Sequence, residues 1–434
     1  MFMEHSKIIL KEELSMNKND LLEIVKNTYI YGYPIVGMYE LLYTQIMNPQ
    51  TKLTNFNEFA HTANVASPKT SFIPAPNNDT TYSRAWLDLR EEPVIIEVPD
   101  TNDRYYSIQL LDLFTETITN IGRRLTGTKP NKFVIIGSDW NGNLPKNSHV
   151  IKSNTPFALA FLRILINNKN DIQEVKDIQT KFKIYKISQP PNDAYCDNYN
   201  TKDLPTYRNS NYHEFFETLN NILSLMPKLN IEPNMLLSLK QLKEIPDDIL
   251  TEACDKAKEL INEGGLKFGE SSNFWRVARK GIGNYANDYL QRSVVWHKGA
   301  LANQPEESLY PSTFQDSTGQ FLDGNFNYEL KFPKNELPPV SQFWSLTMYL
   351  FKNAFLVDNE IDRYSIGDRT KGLVYNEDGS LIIYIQNKRP KDENKIANWL
   401  PSPTEKFYMT LRLYGPSEDA ICGKWLPPVV TRVN

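Results

Sequence analysis

The sequence predicts a mainly β chain of the α+β class, and three observations carry that expectation. Short runs that alternate apolar and polar residues, separated by turn clusters, fill 82–153 and return after 308. Proline (27) and tyrosine (23) are abundant, which favours strands joined by stiff loops. Helical spacing is confined to a leading segment and to a central stretch that ends near 302. Strands this short and this closely spaced fit sandwiches or barrels better than βαβ units.

The first element is a helix over 20–47. Leu21, Val25, Thr28 and Tyr29 share one face, and after Ile30 the segment is apolar all round, so it must be buried. Gly32, Pro34 and Gly37 are expected to kink it or break it in two. In "YSRAWLDL" Ser83, Ala85, Leu87 and Leu89 alternate with Tyr82, Arg84, Trp86 and Asp88. The runs "PVIIEVP", "RYYSIQLLD", "KFVIIG" and "HVIKS" follow, while "TPFALAFLRILI" fits strand or helix.

A polar, proline-containing linker begins at 189, and helices are expected from there to 305. The clearest carries Leu250, Ala253, Cys254, Ala257, Leu260 and Ile261 on one stripe, with Gly264-Gly265 as its stop. "NFWRVARKGIGNYANDYLQRSVVWHKGAL" reads as a broken helix. From 306 the chain is strands again. "NEDGS" signals a hairpin, and "FYMTLRLY" points Phe407, Met409, Leu411 and Leu413 inward, Tyr408, Thr410, Arg412 and Tyr414 outward. The expected division is a loose extension 1–19, an N-terminal β-rich domain 20–188, a linker and helical segment 189–305, and a C-terminal β domain 306–434.

The totals narrow the function classes. With 434 residues, 40% hydrophobic and 23% charged, the chain can bury more than one core. Net charge is −4, with no basic stripe interleaved with aromatics, which argues against nucleic acid as a partner. No apolar run is long enough to span a membrane. The opening "MFMEHSKIILKEELSMNKND" does not read as a signal peptide, and Met16 is an alternative start. Cys196, Cys254 and Cys422 are scattered and form no disulfide framework; the five His lack metal-ligand spacing. No metal and no cofactor are expected. "GIGNYA" has the letters of a dinucleotide loop but not its strand, so it reads as a helix break. "DSTGQFLDGNFN" reads as two tight turns.

The stretch "PAPNNDTTYSRAWLDL" raises the functional question. Asn77, Asn78, Asp79 and Thr80 suit a turn, yet Tyr82, Arg84, Trp86 and Asp88 put rings and both charges on one strand face. That face is either covered by a helix, with Arg84 paired to Asp88, or the wall of a pocket.

Several long motifs carry a family resemblance. "YGYPIV", "PNNDTTYSRAWLDL", "RYYSIQLLDLFTETITNIGRR" and "GTKPNKFVIIG" resemble the N-terminal domain of a two-domain family of unknown function. "LPPVSQFWSLTMYL", "RYSIGDRT", "YNEDGSLIIYIQ", "NWLPSP" and "FYMTLRLYGP" resemble its C-terminal partner. The resemblance implies two β-rich domains, sandwich or jelly-roll-like, joined by a helical segment. It implies a mostly bacterial, often exported group with some members in large DNA viruses, and no agreed activity. Without a leader, a cytoplasmic or virion location is expected here.

Two functional readings stand. In the first, an enzyme acts on a small polar or glycan-like substrate where the domains meet. Asp79 is then the acid/base, with Tyr82 beside it, and Arg104 or Arg369 holds an anionic or carbonyl group. Asn77, Asn78, Tyr106, Gln109, Trp344, Arg363, Asp368, Arg369 and Trp399 are the substrate-binding candidates. In the second, the chain is a non-catalytic carbohydrate-binding or structural module, and Arg363, Asp368 and Arg369 form an ion-pair network that holds the fold. A homodimer through an exposed strand edge fits either.

Overall fold

In a computed structural model, residues 17–62, 64–69, 74–189, 201–226, 242 and 245–433 are described. Most of the N-terminal extension, and Cys196, lie outside them. The chain begins with helix α1, Lys18–Leu42, capped by the Asn17 side chain on the N–H groups of Asn19 and Asp20 and extended by a wider π turn through Tyr43–Met47.

The N-terminal strands are β1 Ala60–Thr62, β2 Thr80–Asp88, β3 Val94–Val98, β4 Tyr106–Asp112, β5 Thr117–Gly122, β6 Asn131–Ile136, β7 His149–Lys152, β8 Phe157–Leu165 and β9 Lys183–Lys186, with helix α2, Ile172–Gln179, before β9. They form two sheets, ordered β1-β2-β8-β4-β5 and β7-β6-β3-β9. The ambiguous "TPFALAFLRILI" is β8, central in the first sheet and apolar on both faces. One face meets Val94, Ile96, Phe133 and Ile135 of the second sheet; the other, with Trp86, Leu159 and Phe161, packs under α1. The polar-looking face of β2 is therefore covered by a helix. Asp88 pairs with Arg90 at 2.7 Å, however, and not with Arg84.

Helices α3 (Tyr212–Ser224), α4 (Asp247–Lys267) and α5 (Tyr289–Gly299) wrap α1. Helix α1 runs unbroken through Pro34, contrary to expectation. Proline removes the N–H that the Ile30 carbonyl would accept. The Ser293 hydroxyl of α5 donates to that carbonyl instead, at 2.5 Å, and Arg292 donates to the Tyr31 carbonyl at 2.8 Å. The neighbouring glycines serve contact rather than bending. A Cβ on Gly32 would lie 2.3 Å from Leu219, and one on Gly37 would lie 2.4 Å from the Trp296 indole. Gly264 has the same use: α4 does not stop there but runs to Lys267, with Gly264 against Val294 of α5.

The C-terminal strands start earlier than the sequence pattern indicates. β10 Glu270–Ser272 and β11 Trp275–Val277 lie in the stretch read as helical and join a sheet with β12 Ser308–Leu309, β13 Ser312–Thr313, β15 Val340–Leu350, β16 Ser365–Gly367 and β19 Phe407–Pro416. Trp275, buried and bonded through its indole to the Pro428 carbonyl, ties β11 to the end of the chain. A second sheet, β18-β17-β14-β20, faces the first and uses β14 Asn327–Phe332, β17 Leu381–Gln386, β18 Trp399–Pro401 and β20 Val430–Val433. Phe407, Met409, Leu411 and Leu413 do point into this core. "NEDGS" is a turn, but "GLVY" before it is not a strand, so no hairpin forms; β17 pairs with β14 and β18.

The Pro34 repair is testable. Ser293→Ala should lower the unfolding free energy in urea melts by about 1–3 kcal/mol, the cost of orphaning a buried acceptor. In a Pro34→Ala background, where residue 34 again has an N–H to donate, the loss should shrink. Equal losses in both backgrounds would refute the pairing.

Candidate functional site

The stretch Ala75–Asp79 is the seam between the two halves. Four of its residues, Ala75, Pro76, Asn77 and Asp79, bond to the C-terminal half. Ala75 N–H donates to the Ala354 carbonyl at 2.8 Å, and the Pro76 carbonyl accepts from the Tyr349 hydroxyl at 2.8 Å. The Asn77 amide donates to the Tyr414 hydroxyl at 2.8 Å. Asp79, 2% exposed, has one carboxylate oxygen on the Ser345 hydroxyl and the other on Arg369, both at 2.5 Å. Arg369 also donates to the Ile166 carbonyl at 2.8 Å. Arg412 lies behind this contact, donating to Thr347, Tyr349 and the Ala75 carbonyl. Burial disfavours its charge, but Tyr349, Tyr414 and Asp79 outweigh that and raise its pKa.

A second contact lies alongside. Tyr105 packs edge-on against Phe343 and Tyr414, which stack on each other with centroids 4.1 Å apart. The Tyr105 hydroxyl donates to buried Glu307 at 2.7 Å, and Arg124 closes the other Glu307 oxygen at 2.6 Å. Burial, reinforced by Glu307, raises the Tyr105 pKa well above the ordinary value, so the phenol stays neutral.

Between these contacts opens a cleft of about 410 Å³, with walls from both halves. Three arginines line it. Arg104 makes a two-pronged pair with Asp171 at 2.5 and 2.8 Å and meets Glu174 at 3.0 Å. Arg123 binds Asp103 at 3.1 Å and reaches across to the Gln342 side chain at 2.6 Å. Arg369, anchored on Asp79, stacks over Phe343. The Nε atoms of Arg104 and Arg369 are buried and have no hydrogen-bond partner among the described residues. Asp368 lies 4.0 Å from the Arg369 Nε, too long for a hydrogen bond. Burial pushes the Asp368 carboxyl up to about 6, against the pull of Arg369 and the Trp344 N–H that donates to it at 3.3 Å.

The sequence-derived candidates thus separate. Arg104 and Arg369 line the cleft, with Asp368 next to Arg369. Asp79 and Asn77 lie in the seam with their polar atoms engaged, and the Asn78 side-chain oxygen is buried nearby without a partner among the described residues. Tyr82 stacks on Phe161 under α1. Tyr106 is in the sandwich core against Phe182, its phenol pushed up to about 12 by burial. Gln109 accepts from Arg163 and donates to Thr117 and the Ala302 carbonyl. Trp344 is core, and Trp399 is buried with its indole donating to the Gln386 carbonyl. Among the described residues Arg363 makes no carboxylate pair; it donates to the carbonyls of Ile396, Ala397 and Trp399. Sequence reasoning passed over Tyr105, Arg123, Ser345 and Glu307. The outward set Thr410, Arg412 and Tyr414 was a signal: an arginine and a tyrosine on one strand face favour a partner over open water.

Fold and seam together define a class: a two-domain protein of paired β-sandwiches, clamped by helices, with an arginine-lined cleft at the junction. More particularly, residues 56–186 match the family described as "Protein of unknown function (DUF1254)" and residues 307–418 the one described as "Protein of unknown function (DUF1214)". The two matches together mark a two-domain protein of unknown function. It is similar to the VPA0106 protein from Vibrio parahaemolyticus, known from a crystal structure, at 25% identity and a TM-score of 0.73, over 95% of this chain and 100% of that one. An uncharacterised protein from Burkholderia cenocepacia aligns at 12% identity and a TM-score of 0.47, over 96% and 95%. No curated protein matches the sequence. Among the described residues, no helix is long and apolar enough to cross a membrane.

Two outcomes follow for the acids. Asp79→Asn should cost about 2–4 kcal/mol in denaturant unfolding, because it leaves Arg369 short of its counter-charge in a largely buried place. A neutral effect would mean that the seam does not depend on this pair. Asp368 behaves oppositely. Its folded pKa lies above the unfolded one, so the folded state holds the proton more tightly, and stability is lost as pH rises from about 4 through about 6. Asp368→Asn should therefore raise the melting temperature at pH 8 and leave it unchanged at pH 4. The gain should be about 1 kcal/mol, since the side chain is 34% exposed and solvent screens part of the effect.

Proposed function

We propose that the inter-domain cleft binds a small polar ligand carrying a carboxylate, phosphate or sulfate group, an acidic sugar being one such molecule. The observation that supports this is the convergence of Arg104, Arg123 and Arg369 from both halves, two of them with a buried, unpartnered Nε–H. Buried donors without partners are rare in folded proteins and call for an explanation. An oxyanion supplies the missing acceptor, and arginine holds such groups with two parallel bonds. Phe343 and Tyr105 give the cleft an apolar wall for the rest of the ligand. Three arginines, each already bound to a carboxylate, do not make the extended basic track that nucleic acid requires.

A catalytic reading is favoured by one specific feature. Burial pushes the Asp368 carboxyl, next to Arg369, up to about 6, towards the range that suits general acid/base work. Asp79, with both oxygens engaged, suits a structural role instead.

Calorimetry with glucuronate, galacturonate, inorganic phosphate and sulfate tests the proposal. At least one should bind, more weakly at high salt. Arg123→Ala, on a partly exposed residue that bonds to the C-terminal half at Ser341 and Gln342, should weaken it about tenfold or more, the worth of one charge-assisted bond. Binding indifferent to salt and to Arg123, or no binding by any of the four, would sink the reading.

A further inference from the structure

We infer a second ligand site, on the C-terminal sandwich and separate from the cleft, for a neutral saccharide. A cavity of about 550 Å³ opens where β15, β17 and β18 end, a volume typical of small-molecule sites. Its base is apolar, made by Leu350, Val357, Trp399, Pro401 and Pro403. The Trp399 indole is 1% exposed, so it closes the base rather than offering a stacking face.

The rim has a different chemistry from the cleft. Two acids, Asp358 and Glu360, come from one loop, and two bases, Lys388 and Arg389, from the loop opposite. Glu360 and Arg389 approach to 3.9 Å across the mouth. The formal charges cancel, so the rim has no net attraction for an ion of either sign. It interleaves acceptors with donors instead. A hydroxyl group is both, giving one hydrogen bond and accepting up to two, and a polyhydroxy ring presents several such groups around an apolar face. An apolar base under a mixed, charge-balanced rim is complementary to that pattern.

Ser402 supplies an independent observation. It lines the cavity and is 3% exposed, and its hydroxyl oxygen is buried with no hydrogen-bond partner among the described residues. Its backbone is held on both sides, by Asn387 donating to its carbonyl and by its own N–H donating to the Gln386 carbonyl. The hydroxyl thus sits on a held backbone in the lining of the cavity, with bonding capacity that no described residue takes up and that a ligand hydroxyl would use.

The rim is also built in advance. Asn359 donates to the Val357 and Arg363 carbonyls and accepts from the Arg363 N–H, which closes the loop bearing both acids. The Arg363 guanidinium then fastens that loop to the carbonyls of Ile396, Ala397 and Trp399. Arg363 is therefore a positioning residue behind the site. A rim ordered before binding spares the ligand the cost of ordering it.

Saturation-transfer NMR on the full chain tests this, with methyl glucoside, methyl mannoside, galactose, N-acetylglucosamine and cellobiose as neutral probes and glucuronate as the charged control. At least one neutral probe should bind, with affinity unchanged between low and high salt. Asp358→Asn and Arg389→Ala, both on exposed rim positions, should each weaken it about fivefold or more with the melting temperature unchanged. Arg123→Ala in the cleft should leave it as it was. Binding of none of the neutral probes, or equal binding by both rim variants and the wild type, overturns the proposal. So does binding of glucuronate alone with loss in Arg123→Ala, which assigns the sugar to the cleft.

Discussion

The structure depends on one buried contact, the Asp79 carboxylate held between Ser345 and Arg369. A carboxylate this deep is tolerable only when its oxygens are bonded and its charge answered. Both partners come from the C-terminal half, whereas Asp79 immediately precedes β2 of the N-terminal half. The contact therefore ties the halves together and sets their register. It also creates the cleft. Arg369 is drawn inward by Asp79 and by the Ile166 carbonyl, and its buried Nε has no hydrogen-bond partner among the described residues.

The helices act on the opposite side of the N-terminal sheet. Helix α1 is too apolar to be anything but enclosed, and it is enclosed by α3, α4, α5 and the Trp86 face of β2. Beneath it lies a second group of buried charges. Burial pushes Asp112 up to about 7 and also raises Glu116, and it lowers Arg292, which sits among the rings of Tyr31, Phe114 and Tyr289. The backbone turns to make these contacts: Asp112 accepts from the N–H groups of Phe114 and Glu116, and Thr115 between them takes a φ of +64°, unusual for a β-branched residue. Charge burial thus recurs at both places where the sandwiches meet other layers.

Much of the fold was legible because it rests on local periodicity. The alternation in "FYMTLRLY" placed four residues in the core, and the all-round apolar run placed α1 in the interior. What local pattern misread, tertiary contact had overridden. Pro34 does not break α1 because Ser293 and Arg292, some 260 residues on, satisfy the carbonyls it disturbs. Gly264 does not end α4 because α5 needs the space. Strand β11 is only three residues long, too short to show a period of two, and it exists because β13 is beside it. The site was legible in its residue types and not in its assignments. "RYY" offers two tyrosines, and alternation alone does not say that Tyr105 faces the seam and Tyr106 the core.

A polar motif at an interface looks, in sequence, like an active site. Both need hydrogen-bonding side chains in a stretch that is neither core nor loop. The difference lies in saturation. In the seam the side chains of Asn77, Tyr349 and Arg412 donate to partners inside the protein, and the Asp79 carboxylate accepts on both oxygens. The Nε atoms of Arg104 and Arg369 and the hydroxyl of Ser402 have no such partner among the described residues. "PAPNND" is accordingly the device that holds the two halves together; of these three groups with bonding capacity to spare, those of Arg104 and Arg369 belong to residues singled out in the sequence and that of Ser402 does not.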